Sequence, residues 1–583
     1  MELKINTLVK SISQMRNALF LAAVIIFGNF MIMSAAADAE VNVSLSKQSD
    51  QLAADFCADP AFDTQPCPIL PTDIAQFDAS FIYRFVGPES QRPFDQFSWQ
   101  SFIAMTWPLT ANGVALPYGQ AAHPAKGDVP RWQRLVNRDQ LITGEGGVSP
   151  FARAEAFCGA GDSPSTSLPP KPADTLLLYA FHQATGDVLV DQAGNYVLYE
   201  TRLNDVAAGY IRDSQLASFT GRSRRAETGN EISFPMQDPN KQDPGKNADG
   251  SGDMSGKEIV GGDRQVLKNV DGHRVGPGAT LLKFAWRVLS PDDNPAQFLT
   301  RNARLFVPAR DSVTRNPFCR DVVVGMIGMH LVQRVVSGNG DRWIWSTFEH
   351  VANAPLAANA RRPNSFIAKK LFPDGCFAPT GQEPGILQTG NEKNIANLQR
   401  FNLFGMAGGI NAPLEQAKNR LPPNPDTIMM KTKITGEAAT TGAGTMSAVA
   451  GSGGETVNQG VVRPALWAEH APYAVDQTGQ AIAPSQIVRC WRVFEGTDKT
   501  NTLWHQALAG SVWDNYFLVG TQWIGNGGGA PFGVGEVPRF LSNVALESFI
   551  QHQETGTCLG CHSTARSDAG QLSNFTFVLA PAN

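Results

Sequence analysis

The sequence predicts an α+β protein with a β-rich core of mainly antiparallel sheet, peripheral helices and long loops. One reason is a set of short apolar segments with strand periodicity, such as 176–181 (LLLYAF) and 321–336 (DVVVGMIGMHLVQRVV). A second is the content of 55 Gly and 38 Pro among 583 residues, which is typical of a loop-rich chain. The third is a hydrophobic fraction of 42%, which is enough for a globular core.

The first 37 residues have the pattern of a secretory signal peptide. Lys4, Lys10 and Arg16 are basic, residues 18–33 are apolar, and small residues follow as far as Ala39. We expect cleavage after residue 37 or 39; an uncleaved single-span anchor is the alternative, because the apolar run is long. No later run reaches 18 uninterrupted apolar residues, so we expect a periplasmic or secreted protein with no membrane span after cleavage.

Beyond the signal, composition divides the chain into four parts. Residues 38–173 form an N-terminal segment with a Cys57/Cys67 loop and a short helix, and residues 174–434 form the β-rich core. Residues 435–460 are a low-complexity loop rich in Gly, Ala, Ser and Thr. Residues 461–583 form the C-terminal haem-c attachment region, for the reasons given below.

Local patterns predict individual elements within these parts. Residues 95–107 suit a helix that ends before Pro108, and residues 188–201 suit a hairpin turning at Ala193 and Gly194. The apolar segment 280–289 fits either a helix or a strand. Residues 321–336 fit a strand buried on both faces.

Three more elements are predicted near the C-terminus. Residues 487–494 (IVRCWRVF) resemble a strand, and residues 538–553 resemble a helix that leads to the cysteine motif. Residues 574–579 (NFTFVL) alternate like a last strand.

The charge balance limits the partners. A formal net charge of −5 argues against nucleic acid and against an anionic membrane surface. We therefore expect a periplasmic redox partner or a small-molecule substrate.

The eight cysteines agree with an exported protein. Cys558 and Cys561 belong to the motif described next, which leaves an even number for disulfides in an oxidising compartment. Cys57 and Cys67 are close enough in sequence for a local bridge. The remaining four cysteines can pair in three ways, among which the sequence does not choose: Cys158, Cys319, Cys376 and Cys490. The alternative is that some of the cysteines are free buried thiols.

The segment Cys558-Leu559-Gly560-Cys561-His562 has the spacing of a c-type haem attachment motif. In such a motif the two thiols bond the haem covalently and the histidine is an axial iron ligand. A vicinal disulfide loop and half of a zinc site are the competing interpretations. The last methionine, Met446, precedes the motif, so a class I cytochrome c domain with a downstream axial Met is excluded.

A hairpin upstream offers candidates for the other side of the iron. With Asn339 and Gly340 as a two-residue turn, His330 would lie opposite Glu349 across two strands. A histidine bonded to a carboxylate suits metal ligation or general base work, and a core ion pair is the alternative. The opposite face would then pair Met329 with His350.

The candidates for catalysis are therefore His330, Glu349 and His350. For the sixth iron ligand they are His330, His350, His470 and His505, the last two because they stand among aromatic residues upstream of the motif. The other histidines, His123, His182, His273 and His552, are interpreted as surface residues.

These motifs resemble a group of large exported bacterial cytochrome c family proteins that end in a single haem-attachment motif. The blocks that carry the resemblance are VDQAGNYV (190–197), FAWRVL (284–289), residues 325–330, WIWSTFEHVANAP (343–355) and the Cys558–His562 motif. The resemblance implies covalent haem and export, and it implies no substrate.

Two classes of function follow from the sequence. The first is a periplasmic monohaem c-type cytochrome family protein that takes part in electron transfer or redox chemistry, with one haem c as cofactor. The second is a haem-c oxidoreductase, peroxidase- or oxygenase-like, with an open distal site; a haem-based sensor or binding protein is a third alternative.

Overall fold

The computed structural model describes the chain in segments that together form one central sheet with layers on both faces. These segments are 66–71, 91–111, 113–124, 128–144, 147, 149–159, 168, 171–182, 188–191, 195–236, 259–260, 266–268, 274–275, 277–291, 293–309, 316–337, 340–362, 403–405, 485–523, 541–551 and 557–580. The predicted signal peptide and the low-complexity loop at 435–460 lie outside them.

The described segments contain both helices and strands. The helices are α1 (Arg92–Thr106), α2 (Tyr118–Ala121), α3 (Arg138–Leu141), α4 (Pro150–Cys158), α5 (Asp205–Asp213), α6 (Phe219–Thr228), α7 (Glu495–Ala507) and α8 (Cys558–His562). Short 3₁₀ turns occupy Arg131–Arg134, Pro295–Gln297, Val512–Asn515 and Ser548–Ile550. The strands are β1 (Pro108–Leu109), β2 (Val129–Pro130), β3 (Val136–Asn137), β4 (Leu176–Leu178), β5 (Leu189–Val190), β6 (Leu198–Leu203), β7 (Ile259–Val260), β8 (Val266–Lys268), β9 (Arg274–Val275), β10 (Thr280–Val288), β11 (Thr300–Val307), β12 (Phe318–Ser337), β13 (Gly340–His350), β14 (Leu356–Arg361), β15 (Phe404–Gly405), β16 (Ser485–Gln486), β17 (Arg489–Trp491) and β18 (Tyr516–Trp523).

Eight strands make the central sheet, which confirms the predicted α+β class. The main order is β18-β13-β12-β10-β6-β3, with β11 beside β12 and β4 beside β11. Every pairing is antiparallel except β4 with β11. The sheet takes β3 from the N-terminal segment and β18 from the C-terminal part, residues 461–583, so its strands come from three of the sequence-defined parts.

The long strand β12 is the organising element of this sheet. It pairs with β11 at one end and with β10 and β13 along its length. Its residues 324–329 are all buried, so the predicted strand with two apolar faces is confirmed. The segment 280–289, which fitted either element, forms β10 because both of its faces are covered as well.

The two faces of the sheet have different partners. Side chains alternate along a strand, so Trp345 and Phe348 of β13 point to opposite faces. Phe348 packs against Trp99 of α1, with ring centroids 5.1 Å apart, and we call this side the helix face. Trp345 lies 4.3 Å from the ring centroid of His562, and we call this side the motif face.

The predicted helix before Pro108 is confirmed as α1, but it is more deeply buried than a surface helix. All of its residues except Arg92 are buried. Its Ser98 hydroxyl lies 2.7 Å from the hydroxyls of both Ser346 and Thr521, on neighbouring strands. Trp99 stacks on Trp504 of α7 at 5.6 Å, so α1 and α7 together cover the helix face.

The predicted hairpin of residues 188–201 is also present. The Asp191 amide donates to the Asn195 carbonyl at 3.0 Å, and Val190 bridges Tyr196. Residues 192–194, where the turn was predicted, lie outside the described chain. The predicted strand at 176–181 is confirmed in its first half, as β4, and the one at 487–494 in its central part, as β17.

Two predictions near the C-terminus are wrong. The described part of segment 538–553 has turns and one 3₁₀ turn instead of a helix. The cause is local: the Asn543 side chain accepts from the Ala545 amide at 2.9 Å and the Glu547 carboxylate accepts from the Asn543 amide at 3.1 Å. Side chains that satisfy the backbone in this way compete with a helix.

The predicted strand at 574–579 is replaced by turns. Asn574 and Phe575 have φ of 52° and 62°, which is incompatible with a strand. Position 574 tolerates this because the short amide side chain of Asn is among the most compatible with the left-handed region.

One disulfide is resolved among the four cysteines whose pairing the sequence left open. Cys158 at the end of α4 is bonded to Cys319 of β12, with Cα atoms 5.8 Å apart. Cys67 and Cys490 are disulfide-bonded too, and their partners lie outside the described residues, as do Cys57 and Cys376. Within the described chain, no helix combines the length and the apolar character needed to cross a membrane.

Candidate haem-attachment site

The motif Cys558–His562 forms a single helical turn, α8, on the motif face. The Cys561 amide donates to the Thr557 carbonyl at 3.1 Å, which closes the turn. Both cysteines are free thiols and are partly exposed. They are therefore not joined to each other, which disagrees with the vicinal-disulfide interpretation.

The ring of His562 is held in one orientation. Its Nδ1 lies 3.0 Å from the backbone carbonyl of Phe575, so Nδ1 carries the proton and donates it. The rings of Trp345 and Phe577 pack beside it, with centroids 4.3 Å and 4.9 Å away. This bond leaves Nε2 as the nitrogen with a lone pair, which is the atom that a metal ligand needs.

No family model, no curated protein and no solved structure matches this chain.

The residues of α8 fit a haem c on their own chemistry. Two free thiols are separated by two residues, and burial lowers the pKa of His562 to about 4, which keeps the imidazole neutral at physiological pH. A neutral imidazole is the form that ligates iron. Among the described residues no group of three or more His, Cys, Asp or Glu is placed to hold a metal ion, as a zinc site would require.

The predicted partner of His330 is wrong. Ser337 pairs with Gly340, so the hairpin turns one residue earlier than predicted and the register moves by two: His330 lies opposite Thr347. A shift of two residues preserves the face of each side chain. Glu349 is therefore on the same face as His330 but pairs with Gly328 instead.

His330 has a different carboxylate partner. Its Nε2 donates to Oε1 of Glu547 at 2.5 Å, on the segment that leads into α8. Glu547 is held in turn by the Asn543 amide, which donates to Oε2. His330 therefore does form a His–carboxylate pair on the motif face, but with Glu547 instead of the predicted Glu349, 217 residues away where no sequence spacing indicates it.

Lys283 completes a cluster that the sequence analysis missed. It is the neighbour of His330 across β10 and β12, and its Nζ lies 5.6 Å from the centroid of the Tyr199 ring. Burial lowers the pKa of Lys283, while the charges of Glu547 and Cys561 oppose that shift. The sequence feature that could have indicated this residue is a lysine within the mainly apolar strand segment TLLKFAWRV. We call Lys283, His330 and Glu547 the acid–base cluster.

The acid–base cluster lies close to α8. Apart from burial and the Phe575 hydrogen bond, the influences on the pKa of His562 are the charges of His330, Glu547 and Lys283. In Glu547 burial raises the pKa, but the charge and hydrogen bond of His330 and the charge of Lys283 outweigh it, so the pKa is lowered. The cluster therefore holds a carboxylate and its proton donors beside the motif.

Glu349 belongs to the core rather than to this cluster. It is buried, it forms an ion pair with Arg489, and its Oε1 accepts from the Val544 amide at 2.7 Å. Burial raises its pKa, and Arg489 opposes the shift. Its contacts fasten the 541–551 segment to β13, which is a structural role.

His350 is also a core residue. Its Nε2 lies 2.9 Å from the Gln297 carbonyl, and its Nδ1 accepts from the Ala352 amide at 3.3 Å. Its ring stacks on Phe298 with centroids 4.4 Å apart. Both nitrogens are thus engaged, and the predicted pair with Met329 is wrong because Met329 lies opposite Phe348.

The two remaining ligand candidates do not join the site. His505 of α7 contacts Trp99 on the helix face and bonds Asp514 at 2.8 Å, so the sheet separates it from α8. His470 lies outside the described residues. Of the three described candidates for the sixth ligand, His330 alone lies on the motif face.

Proposed function

We propose that this chain is an exported c-type haem protein that works in electron transfer or redox chemistry. It binds one haem c through Cys558 and Cys561, with His562 as the axial iron ligand. The observation that carries the proposal is the bond from His562 Nδ1 to the Phe575 carbonyl, which leaves Nε2 as the metal-binding nitrogen in a motif whose two cysteines are free thiols. Haem c, when bound, supplies an iron centre that exchanges single electrons.

The protein residues have separate tasks in this proposal. The Phe575 carbonyl increases the basicity of the imidazole. Trp345 and Phe577 limit the rotation of the ring by packing on it. The half-buried setting of His562 would limit the access of water to the ligand and would help set the redox potential.

The acid–base cluster supports a second candidate, an oxidoreductase with an open distal site. His330 is held by Glu547 in one orientation, and such a pair can hold a proton at His330 Nε2 or at Glu547 Oε1. General acid–base chemistry near a redox centre requires such a group. A simple electron carrier has no need of it.

The first experiment tests covalent attachment. The full chain is produced with haem-maturation machinery as wild type and as C558A/C561A, and a denaturing gel is stained for haem. Haem on the wild type and none on the variant is expected. Haem retained by the folded variant, or absent from the wild type, would contradict the proposal. The C158A/C319A variant, which replaces two cysteines of a distant disulfide, is the matched control and keeps its haem.

The second experiment separates the two candidates. Absorption spectra are recorded for the oxidised protein, the reduced protein and the reduced protein under carbon monoxide. A low-spin spectrum that is indifferent to carbon monoxide favours electron transfer, because it indicates two firm protein ligands. A high-spin spectrum that shifts on adding carbon monoxide favours the oxidoreductase.

A further inference from the structure

The carbonyl that orients His562 belongs to a constrained turn. Asn574 and Phe575 are consecutive non-glycine residues with φ of 52° and 62°. Only one other described non-glycine residue, Gln215, has a positive φ. Such backbone costs about 1–3 kcal/mol per residue and persists only where the surroundings hold it.

The side chain of Asn574 is what connects this turn to the sheet. Its Oδ1 accepts three hydrogen bonds: from the Phe234 amide at 3.2 Å, from Arg334 Nη1 at 3.1 Å and from Trp343 Nε1 at 3.3 Å. Arg334 and Trp343 are buried residues facing each other on β12 and β13. One oxygen thus joins the turn to two strands and to the segment after α6.

We infer that Asn574 is a positioning residue for the axial ligand: it holds the Phe575 carbonyl where it accepts the His562 proton. The inference rests on the proposed function and deepens it. Asn574 itself contacts neither the imidazole nor the thiols in any described interaction. Its effect passes through the neighbouring carbonyl, from a rigid sheet to the ring that would hold iron.

The bond to His562 Nδ1 sets how strongly the imidazole donates to a metal. When Asn574 loses its acceptor oxygen, the turn is released and the Phe575 carbonyl moves away from Nδ1. A less basic imidazole stabilises the oxidised iron less, so the reduction potential rises. The thioether bonds depend on Cys558 and Cys561 and are unaffected.

The experiment compares haem-loaded, full-length N574A, N574D and wild type. N574A is expected to keep covalent haem, to change its axial-ligand absorption and to favour the reduced form about tenfold more, a shift of ~59 mV for one electron. N574D keeps Oδ1 and the tolerance of positive φ, so it is expected to keep the wild-type axial-ligand absorption. Its added negative charge favours the oxidised form, so its potential does not rise. Q215A, at the other left-handed residue, is the control and leaves the potential unchanged.

The outcomes are distinguishable. A wild type without covalent haem would contradict the proposed function. Covalent haem with N574A equal to Q215A in spectrum and potential would overturn the role of Asn574 alone. If N574A does not fold, W343F removes one of the three donors to Asn574 while the residues of the turn stay the same, so the turn is held less firmly. W343F is then expected to raise the potential by a smaller amount, and an unchanged potential would overturn the inference.

Discussion

Arg222 holds Asp568 at both carboxylate oxygens, with Nε to Oδ1 and Nη2 to Oδ2 each at 2.5 Å. Arg222 is completely buried, and its other donors reach the carbonyls of Leu216, Ala217 and Thr143. Asp568 follows α8 by six residues, so this pair attaches the segment that carries the motif to α6. The planar guanidinium suits this bidentate geometry, which lysine cannot reproduce.

Replacing Arg222 should therefore destabilise the protein strongly. R222A leaves Asp568 and three carbonyls without their donor, and removing one partner of a buried pair costs about 3–5 kcal/mol. R222K keeps the positive charge but loses the bidentate guanidinium geometry, so we expect a smaller decrease in the free energy of unfolding. Urea denaturation of the full chain measures both free energies of unfolding.

The exposed pair of Glu495 and Lys499 is the control for this measurement. Its side chains are 58% and 67% exposed, and their contact is 3.0 Å. E495Q should change the free energy of unfolding by less than about 1 kcal/mol. Equal losses in R222A and E495Q would show that the Arg222 contact does not hold the segment.

In the proposed haem-loaded protein, His330 and Glu547 should affect the reduction potential with opposite signs. E547Q removes a negative charge that acts on His562, so the reduced form is favoured and the potential rises. H330A leaves the Glu547 charge unbalanced, so the potential falls. We expect a two- to tenfold change in the reduction equilibrium in each case, roughly 20–60 mV, measured by redox titration.

The exposed His182 provides the matching control for H330A. H182A should leave both the potential and the haem spectrum unchanged. A folded H330A protein with the potential and spectrum of H182A would assign His330 to the core instead of to the redox site.

Asp95 in α1 should make the protein less stable as the pH rises. Burial raises its pKa from 3.8 to about 7, and hydrogen bonds from Thr497, Gln91 and Thr521 oppose the shift. The folded state therefore keeps a proton that the unfolded state has lost above pH 4. The free energy of unfolding falls between about pH 4 and pH 7, by about 4 kcal/mol at most.

The variant D95N has no proton to lose at this position and should lack this slope. Below pH 4 it should be about as stable as wild type, because both side chains are then neutral. Between pH 4 and pH 7 its free energy of unfolding should increasingly exceed that of wild type. Denaturation curves at several pH values test this. D205N, at an exposed acid, should keep the wild-type slope; a D95N curve parallel to wild type would contradict the prediction.

Local patterns were sufficient where the periodicity of apolar residues carries the information. The strand at 321–336 and the helix before Pro108 depend on their own apolar residues, and both are present. The patterns failed at 538–553 and 574–579. Hydrogen bonds that the side chains of Asn543 and Glu547 accept from backbone amides override the helical preference of the first segment, and the anchored turn at Asn574 replaces the predicted strand of the second.

The hairpin at residues 337–340 shows how far such reasoning reaches. Which face His330 occupies follows from the alternation of strand side chains, and a two-residue shift leaves it unchanged. Which carboxylate it meets does not follow, because Glu547 arrives from a segment that packs over the sheet.

By itself, then, the sequence determined the β-rich class, the long central strand and the spacing of Cys558, Cys561 and His562, which is that of a haem-attachment motif. Each of these depends on residues close together in the chain. Only the tertiary structure decided that Phe575 accepts the His562 proton, that Asn574 fastens this turn to β12 and β13, and that Glu547 and Lys283 lie beside His330. Those contacts join distant segments through single hydrogen bonds and charges, and no local pattern encodes which segments meet.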